Sequence, residues 1–430
     1  MPVRATTVEK FDLYTEVNEK QLRVKSASYR ELTAAIKPVF PRAFPKGYLN
    51  NVDGWGISKK DLHGKLADGT YKLLTLDIDF GSACSLACPH CFRKSKMLDT
   101  SRPPLSYKEM IALMEDGKKL GLKSVKFLGA GEPFENPEFL RFLIDLKALG
   151  IKAAVFTKGH VIGSDELTRK YNKQYGITSA IALAEKLKEL DVSVLLGFNS
   201  FRKSLQEAFI GGDKGRFENY VGFRDQALLN LVNAGLNAYN KEKATQLALI
   251  IAPIKPENIA EVFAIYKWGR VRNMYALSCP TTYSGLGVNE YAREHKITNF
   301  DQYITALKNL YIKIYLWNIS EGLMTLKQFK EEGVSLYPGC HPCNQVAAGM
   351  YITLKGKVIA CPGRSDSHWE GISDIRKSNL RAVWLKSSNY SLAKQKEKYN
   401  FHCIARDGTF FRPGDNFYED IQKGVLAQLK

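Results

Sequence analysis

From Tyr71 onward the chain alternates short apolar runs with longer stretches whose apolar residues recur every three or four positions. Such short runs fit buried strands, and such stretches fit helices laid over them. Six strands are expected: Leu73–Asp79, Val125–Leu128, Lys152–Thr157, Val192–Phe198, Gln246–Ala252 and Met274–Ser278. Ser106 and Glu109 form a capping-box pattern ahead of a helix to Lys119, and Asn136 with Pro137 reads as the start of a helix to Leu149. Further helices are expected over Ser179–Leu190, Phe217–Ala234 and Asn258–Arg270, the last capped by Asn258. Gly159 to Gly176 reads as a polar insertion. Alternating strands and helices predict an α/β fold with a parallel sheet. Six strand-helix steps are fewer than the eight of a closed barrel, so the expectation is a partial (β/α)6 TIM-type barrel.

The barrel pattern covers residues 71–285 and has flanks on both sides. Residues 1–70 form an N-terminal extension, helix-like at first and then broken by prolines and glycines from Pro38 to Gly56. It is expected to brace the barrel or to meet a larger substrate. Residues 286–335 form a helical connection with an amphipathic helix from about Thr298 to Asn318. Residues 336–430 form a small α+β subdomain in which Met350–Ile359, turning at Gly356 and Lys357, reads as a hairpin.

With 430 residues, 45% hydrophobic and 25% charged, the chain has the composition of an ordinary globular protein. It has no apolar leader at its N-terminus and no run of about 18 apolar residues, so a cytoplasmic protein is expected. Sixty-two basic and 44 acidic residues leave a net charge of +18. The excess is spread through short mixed groups such as Lys241–Lys243 and Lys394–Lys398, the pattern of a solvated surface, which disfavours nucleic acid as substrate. Gly211-Gly212-Asp213-Lys214-Gly215 lacks the order of a phosphate-binding loop and is read as a turn.

Eight cysteines change the picture. Cys84, Cys88 and Cys91 follow the first expected strand, separated by three and then two residues. Three thiolates so placed reach three corners of an iron-sulfur cube and leave one iron open to a ligand. A closed zinc site needs four ligands, normally as two separated pairs, which this segment alone does not supply.

The segment Cys84-Ser-Leu-Ala-Cys88-Pro-His-Cys91 resembles the cluster motif of the radical S-adenosylmethionine (radical SAM) superfamily. The family has an aromatic residue before the last cysteine; His90 stands there, a planar ring able to lie against adenine. The resemblance implies that the open iron chelates S-adenosylmethionine and that one electron splits the cofactor into methionine and a 5'-deoxyadenosyl radical. That radical takes a hydrogen atom from substrate. Gly129-Ala130-Gly131-Glu132-Pro133 is similar to the family's glycine-rich GGEP motif, which binds the cofactor's amino group, and Glu132 offers a charge or an acceptor. Thr157-Lys158-Gly159 resembles its T-N-G turn, with Lys158 departing from asparagine and expected either to pair with the cofactor carboxylate or to be a solvated turn lysine. Asn199 and Ser200 end the fourth strand where the family places polar cofactor contacts.

The portion from Cys343 through Gly356 to Cys361 looks like the opening of the family's twitch and SPASM subdomains. With Cys340 and Cys403 it supplies four thiolates for a second, auxiliary [4Fe-4S] cluster, or for a zinc ion. The remaining Cys279, at the end of the sixth strand, is either a small buried residue or a hydrogen-atom donor of the kind that some family epimerases carry. The implied protein is a radical SAM enzyme with two [4Fe-4S] clusters and a flavodoxin- or ferredoxin-type electron donor. It dehydrogenates, cross-links or epimerises a peptide, or a small polar metabolite such as an amino sugar. A non-catalytic iron-sulfur or zinc protein that binds nucleic acid is the competing class.

Overall fold

The computed structural model describes residues 16–57, 59–93, 102–212, 219–282, 284–289, 300–340, 348–363, 372–387, 390 and 416–429. Six parallel strands, β1 (Thr75–Asp79), β2 (Ser124–Gly129), β3 (Lys152–Thr157), β4 (Ser193–Gly197), β5 (Leu247–Ile254) and β6 (Tyr275–Pro280), lie side by side in chain order. Alternation along each strand sorts residues onto two faces. Leu76, Ile78, Val125, Val155, Leu196 and Leu249 join the large core beneath the helices, whereas Ala154, Leu195, Ala248, Ile250 and Leu277 pack together on the inner face. The sheet is therefore the curved wall of an open partial barrel, as expected.

Helices start where caps place them. Ser106 accepts from Glu109 N while Glu109 reaches back, and the helix Tyr107–Lys119 follows; Ser179 likewise caps Ala180–Glu189. The helix expected from Asn136 starts later, at Phe139, because Pro133–Glu135 makes a 3-10 turn and Asn136 Oδ1 accepts from Glu138 N instead. Gly159–Gly176 is more than an insertion of loop: it contains the helix Asp165–Asn172, capped by Ser164. Asn258 precedes the helix Ile259–Arg270 without capping it, since its side chain holds Lys255 N and the carbonyls of Asn199 and Pro253.

The flanks complete the wall. Val17 N bonds Ala260 O at 2.9 Å, Ser26 Oγ bonds Phe201 O at 2.8 Å and Trp268 Nε1 bonds Thr33 Oγ1 at 2.9 Å, so the described part of the N-terminal extension braces the barrel's helices. The expected C-terminal hairpin is present as β7 (Gly349–Ile352) and β8 (Val358–Ile359). Its first strand does something the sequence did not announce: β7 pairs parallel with β1, from Thr75↔Gly349 to Ile78↔Ile352, and extends the barrel sheet. The helix Phe300–Ser320, the observed form of the expected amphipathic connection, packs against Ile259–Arg270 and Phe417–Gln428.

Candidate radical cofactor site

The loop carrying Cys84, Cys88 and Cys91 leaves the carboxyl end of β1, and the loops after β2, β4 and β6 hold it. Glu132 N donates to Ala83 O at 2.8 Å, Ala87 N to Ile210 O at 3.1 Å and Leu286 N to Cys91 O at 2.9 Å. Ser85 gives its N–H and hydroxyl to the two oxygens of Glu135, both at 2.9 Å, and Glu135 Oε1 lies 2.7 Å from Nε2 of the fully buried His160. Two glycines let the neighbouring loops approach this closely. A Cβ on Gly131 would stand 2.3 Å from Ala83 O, and one on Gly211 2.6 Å from Ala87 O. Bonds from three neighbouring loops thus fix the shape of this one.

Cys84 is exposed, Cys91 half-buried and Cys88 buried, with burial pushing the Cys88 thiol up. Cys88 lies within electrostatic reach of both other thiols. Among the described residues no three histidine, cysteine or carboxylate side chains stand close enough to hold a single metal ion. Three thiols on one loop are one short of the four that a closed zinc site takes and are the number that leaves one iron of a cubane open.

Around the thiols stand the other expected residues. The His90 ring is buried, edge-on to Phe209 at 5.5 Å, and its Nδ1 has no hydrogen-bond partner among the described residues. Burial first, then the nearby cations Lys158 and Lys255, hold it well below the usual histidine range, so the imidazole is neutral. Gly129 and Ala130 turn with φ of 148° and 88°, the second a left-handed conformation held by a non-glycine residue. Glu132 is buried, which pushes its carboxyl up; it accepts from Thr157 Oγ1 at 2.6 Å and from Lys158 N at 2.9 Å. In this arrangement Glu132 ties the β2 turn to the β3 turn. The Lys158 side chain lies across Gly197, where a Cβ would meet its Cδ at 2.9 Å.

Asn199 and Ser200 are also buried at the end of β4, but they serve different ends. The Ser200 hydroxyl donates to Glu261 Oε2 at 2.8 Å and accepts from Arg202 N, so it belongs to the scaffold, while Asn199 Oδ1 has no partner among the described residues. Cys279, at the carboxyl end of β6, is 2% exposed and belongs to the large core beneath the helices. Cys340 is buried among the inner-face residues, its Sγ 3.6 Å from Ala276 O near the start of β6. Cys361 follows β8, which runs antiparallel to β7 and so returns to the amino-end level of β1. Both therefore lie at the opposite end of the barrel from the first three cysteines. Cys343 and Cys403 fall outside the described residues.

Residues 78–268 match the model of the Radical SAM superfamily. The barrel is a radical SAM domain. Its fold is similar to that of polyhistidine-tagged anSMEcpe with bound AdoMet, at 14% identity over 82% of this chain and 96% of that chain, with a TM-score of 0.51. Native anSMEcpe with AdoMet and the Kp18Cys peptide gives 13%, the same coverages and a TM-score of 0.50. Streptococcus suis SuiB bound to S-adenosylmethionine gives 16% over 74% of this chain and 67% of that chain, with a TM-score of 0.45. No curated protein matches the chain. At such identities the structures speak for the fold alone. The family match runs from β1 into the helix Ile259–Arg270, within the barrel. Among the described residues no helix is long and apolar enough to cross a membrane.

Sequence reasoning missed several residues that shape this candidate site. Arg93, two residues beyond Cys91, is half-buried and pairs with the buried Asp79, and Asp79 also accepts from the Tyr351 hydroxyl and from Leu354 N at 3.0 Å. The available signal was the alternation in Leu76-Asp77-Ile78-Asp79, which sends two carboxylates to the inner face. Lys255, Glu135 and His160 carried no signal in the sequence, because only folding brings their loops together.

Proposed function

We propose that Cys84, Cys88 and Cys91 hold a [4Fe-4S] cluster with S-adenosylmethionine on its open iron, and that the enzyme abstracts a hydrogen atom from a peptide and oxidises it. The observation that carries this reading is the clamped cysteine loop at the carboxyl ends of the strands, where ligands of parallel barrels collect. When bound, the cluster and cofactor supply a 5'-deoxyadenosyl radical.

This chain's residues bind and orient. The neutral His90 offers its ring to the adenine, and the turn Gly129-Ala130-Gly131 presents backbone groups to the amino end of the cofactor. Lys158 brings a cation to the cofactor carboxylate, its backbone fixed by Glu132. Asn199 Oδ1, with no partner among the described residues, is an acceptor for a ribose hydroxyl. The inner face, apolar on β3 to β6, excludes water around the reacting carbon.

A peptide substrate is supported by the likeness of fold to a structure solved with the Kp18Cys peptide. An oxidative outcome, dehydrogenation or cross-linking, is our reading, with epimerisation through Cys279 as hydrogen-atom donor the alternative; Cys279→Ala should leave cofactor cleavage intact and change the product only in the second case. Cys340, Cys343, Cys361 and Cys403 would hold an auxiliary cluster, which would supply an electron acceptor, and a flavodoxin- or ferredoxin-type protein would be the electron donor. The protein, reconstituted with iron and sulfide and reduced without oxygen, should convert S-adenosylmethionine to 5'-deoxyadenosine. The Cys84, Cys88 and Cys91 triple alanine variant should not. No deoxyadenosine from the wild type, together with salt-sensitive binding of DNA or RNA, would replace this reading with that of a nucleic-acid-binding protein.

A further inference from the structure

The inner wall of the barrel is apolar on β3 to β6 and polar where β7, β1 and β2 run side by side. Alternation sends Asp77 and Asp79 of β1 to this wall, and the strand register sets Lys126 of β2 on one side of Asp77 and Tyr351 of β7 on the other. Asp79 is fully engaged, accepting from Arg93, from the Tyr351 hydroxyl and from Leu354 N. Asp77 is 3% exposed and differs. Lys126 Nζ stands 3.7 Å from its Oδ1, beyond hydrogen-bond length, and that oxygen has no hydrogen-bond partner among the described residues.

The surroundings give this oxygen a setting. Asp77 lies two residues, about 7 Å, below the point where the cysteine loop leaves β1. Toward the amino end, Trp55 of the N-terminal extension packs against the inner-face cluster, anchored by the pairing of Val52 with Thr245, and Lys126 Nζ lies 5.1 Å from its ring centroid. The rest of the wall, Ala154, Leu195, Ala248 and Leu277, offers no polar side chain. A buried acceptor without a donor costs about 1–3 kcal/mol, more when it is charged, and a ligand that brings the donor recovers it. Lys126 decides which donor. A cation seated on Asp77 would stand a few ångströms from the ammonium and be repelled by it, whereas a neutral N–H would not.

We propose that Asp77 anchors the substrate inside the barrel, its Oδ1 accepting a hydrogen bond from a neutral amide of the peptide while the apolar flank of the substrate lies on β3 to β6. The proposal rests on the peptide reading above and adds a direction to it: the amide points to β1 and the reacting carbon to the cysteine loop. Lys126 is the residue that selects a neutral donor over an ammonium.

The probes are benzamide, acetophenone, which has the same shape with a methyl group in place of the amide nitrogen, and benzylammonium. Ligand-observed NMR titrations of the reconstituted protein give a Kd for each at pH 7, above the value of about 6 to which burial raises the Asp77 carboxyl. The wild type should bind benzamide at least about tenfold more tightly than acetophenone, the worth of one hydrogen bond to a charged acceptor. D77L should erase that preference by weakening benzamide alone, and K126M should tighten benzylammonium at least about tenfold. Equal binding of benzamide and acetophenone to the wild type would overturn the anchor whether or not D77L folds, as would a preference that survives in D77L. Benzylammonium bound more tightly than benzamide by the wild type would overturn the neutral-amide assignment. A wild type that forms no 5'-deoxyadenosine would remove the reading on which the anchor rests, so the two failures are seen in separate assays.

Discussion

Arg93 holds Asp79 with two nitrogens, Nε to Oδ1 at 3.1 Å and Nη2 to Oδ2 at 2.6 Å, and its guanidinium carbon sits 4.8 Å from the centroid of Tyr351. Asp79 ends β1, Arg93 closes the cysteine loop and Tyr351 lies on β7, so one ion pair joins three separate segments. Asp79→Asn leaves the guanidinium without its charge partner and should cost about 3–5 kcal/mol in urea unfolding. The double variant D79N/R93L should lose clearly less than the two single variants added together, because removing both charges leaves neither stranded.

Asp77 provides a pH signature. Burial, opposed in part by Lys126 3.7 Å away, pushes its carboxyl up to about 6 from the ordinary 3.8. The native state therefore keeps a proton that the unfolded chain releases. The stability this brings is complete below pH 3.8, falls by about 1.4 kcal/mol per unit as pH rises toward 6 and is flat above. Asp77→Asn should remove that slope. Thermal unfolding of both proteins between pH 4 and pH 7 should show the difference shifting toward the variant by up to about 3 kcal/mol.

The close approach at Gly131 predicts a defect confined to the cofactor. Gly131→Ala places a methyl group 2.3 Å from Ala83 O, where neither backbone has room to yield, so the cysteine loop is displaced. Iron bound at the first site and the rate of deoxyadenosine formation should both fall more than about tenfold. Far-UV circular dichroism should stay that of the wild type, since the strands and helices do not depend on this contact.

Ala130 offers a change of the opposite sign. It keeps φ at 88°, a conformation that costs a residue with a Cβ about 1 kcal/mol. Ala130→Gly should raise the unfolding free energy by up to about that amount, less what glycine adds to the freedom of the unfolded chain. A lower Tm in the variant would show that the alanine methyl packs well enough to outweigh its strain.

Much of the barrel was legible because its signals are local. Apolar runs such as Val192–Phe198 and caps such as Ser106 and Ser179 act within a few residues, and the helices begin beside them. The same local reading went astray at Asn136-Pro137, where a preceding 3-10 turn shifted the helix start, and at Ser164, whose cap and first-turn acids were overlooked. The cysteine spacing pointed to the cofactor site, since three thiolates can serve one cluster only if they are close in sequence or brought close. What stayed hidden was non-local. No pattern in Gly349–Ile352 names β1 as its partner, and nothing near Arg270 announces that it packs over the ring of Tyr275.

Because β7 lies against β1, the two ends of the barrel sequence must both exist before the wall is whole. A nascent chain released only as far as β6 would display an unpaired edge of β1 and an Asp79 lacking the hydroxyl of Tyr351. Iron loading therefore belongs after synthesis of the C-terminal third, and a gene shortened before Gly349 would yield a sticky, metal-poor fragment instead of a smaller enzyme.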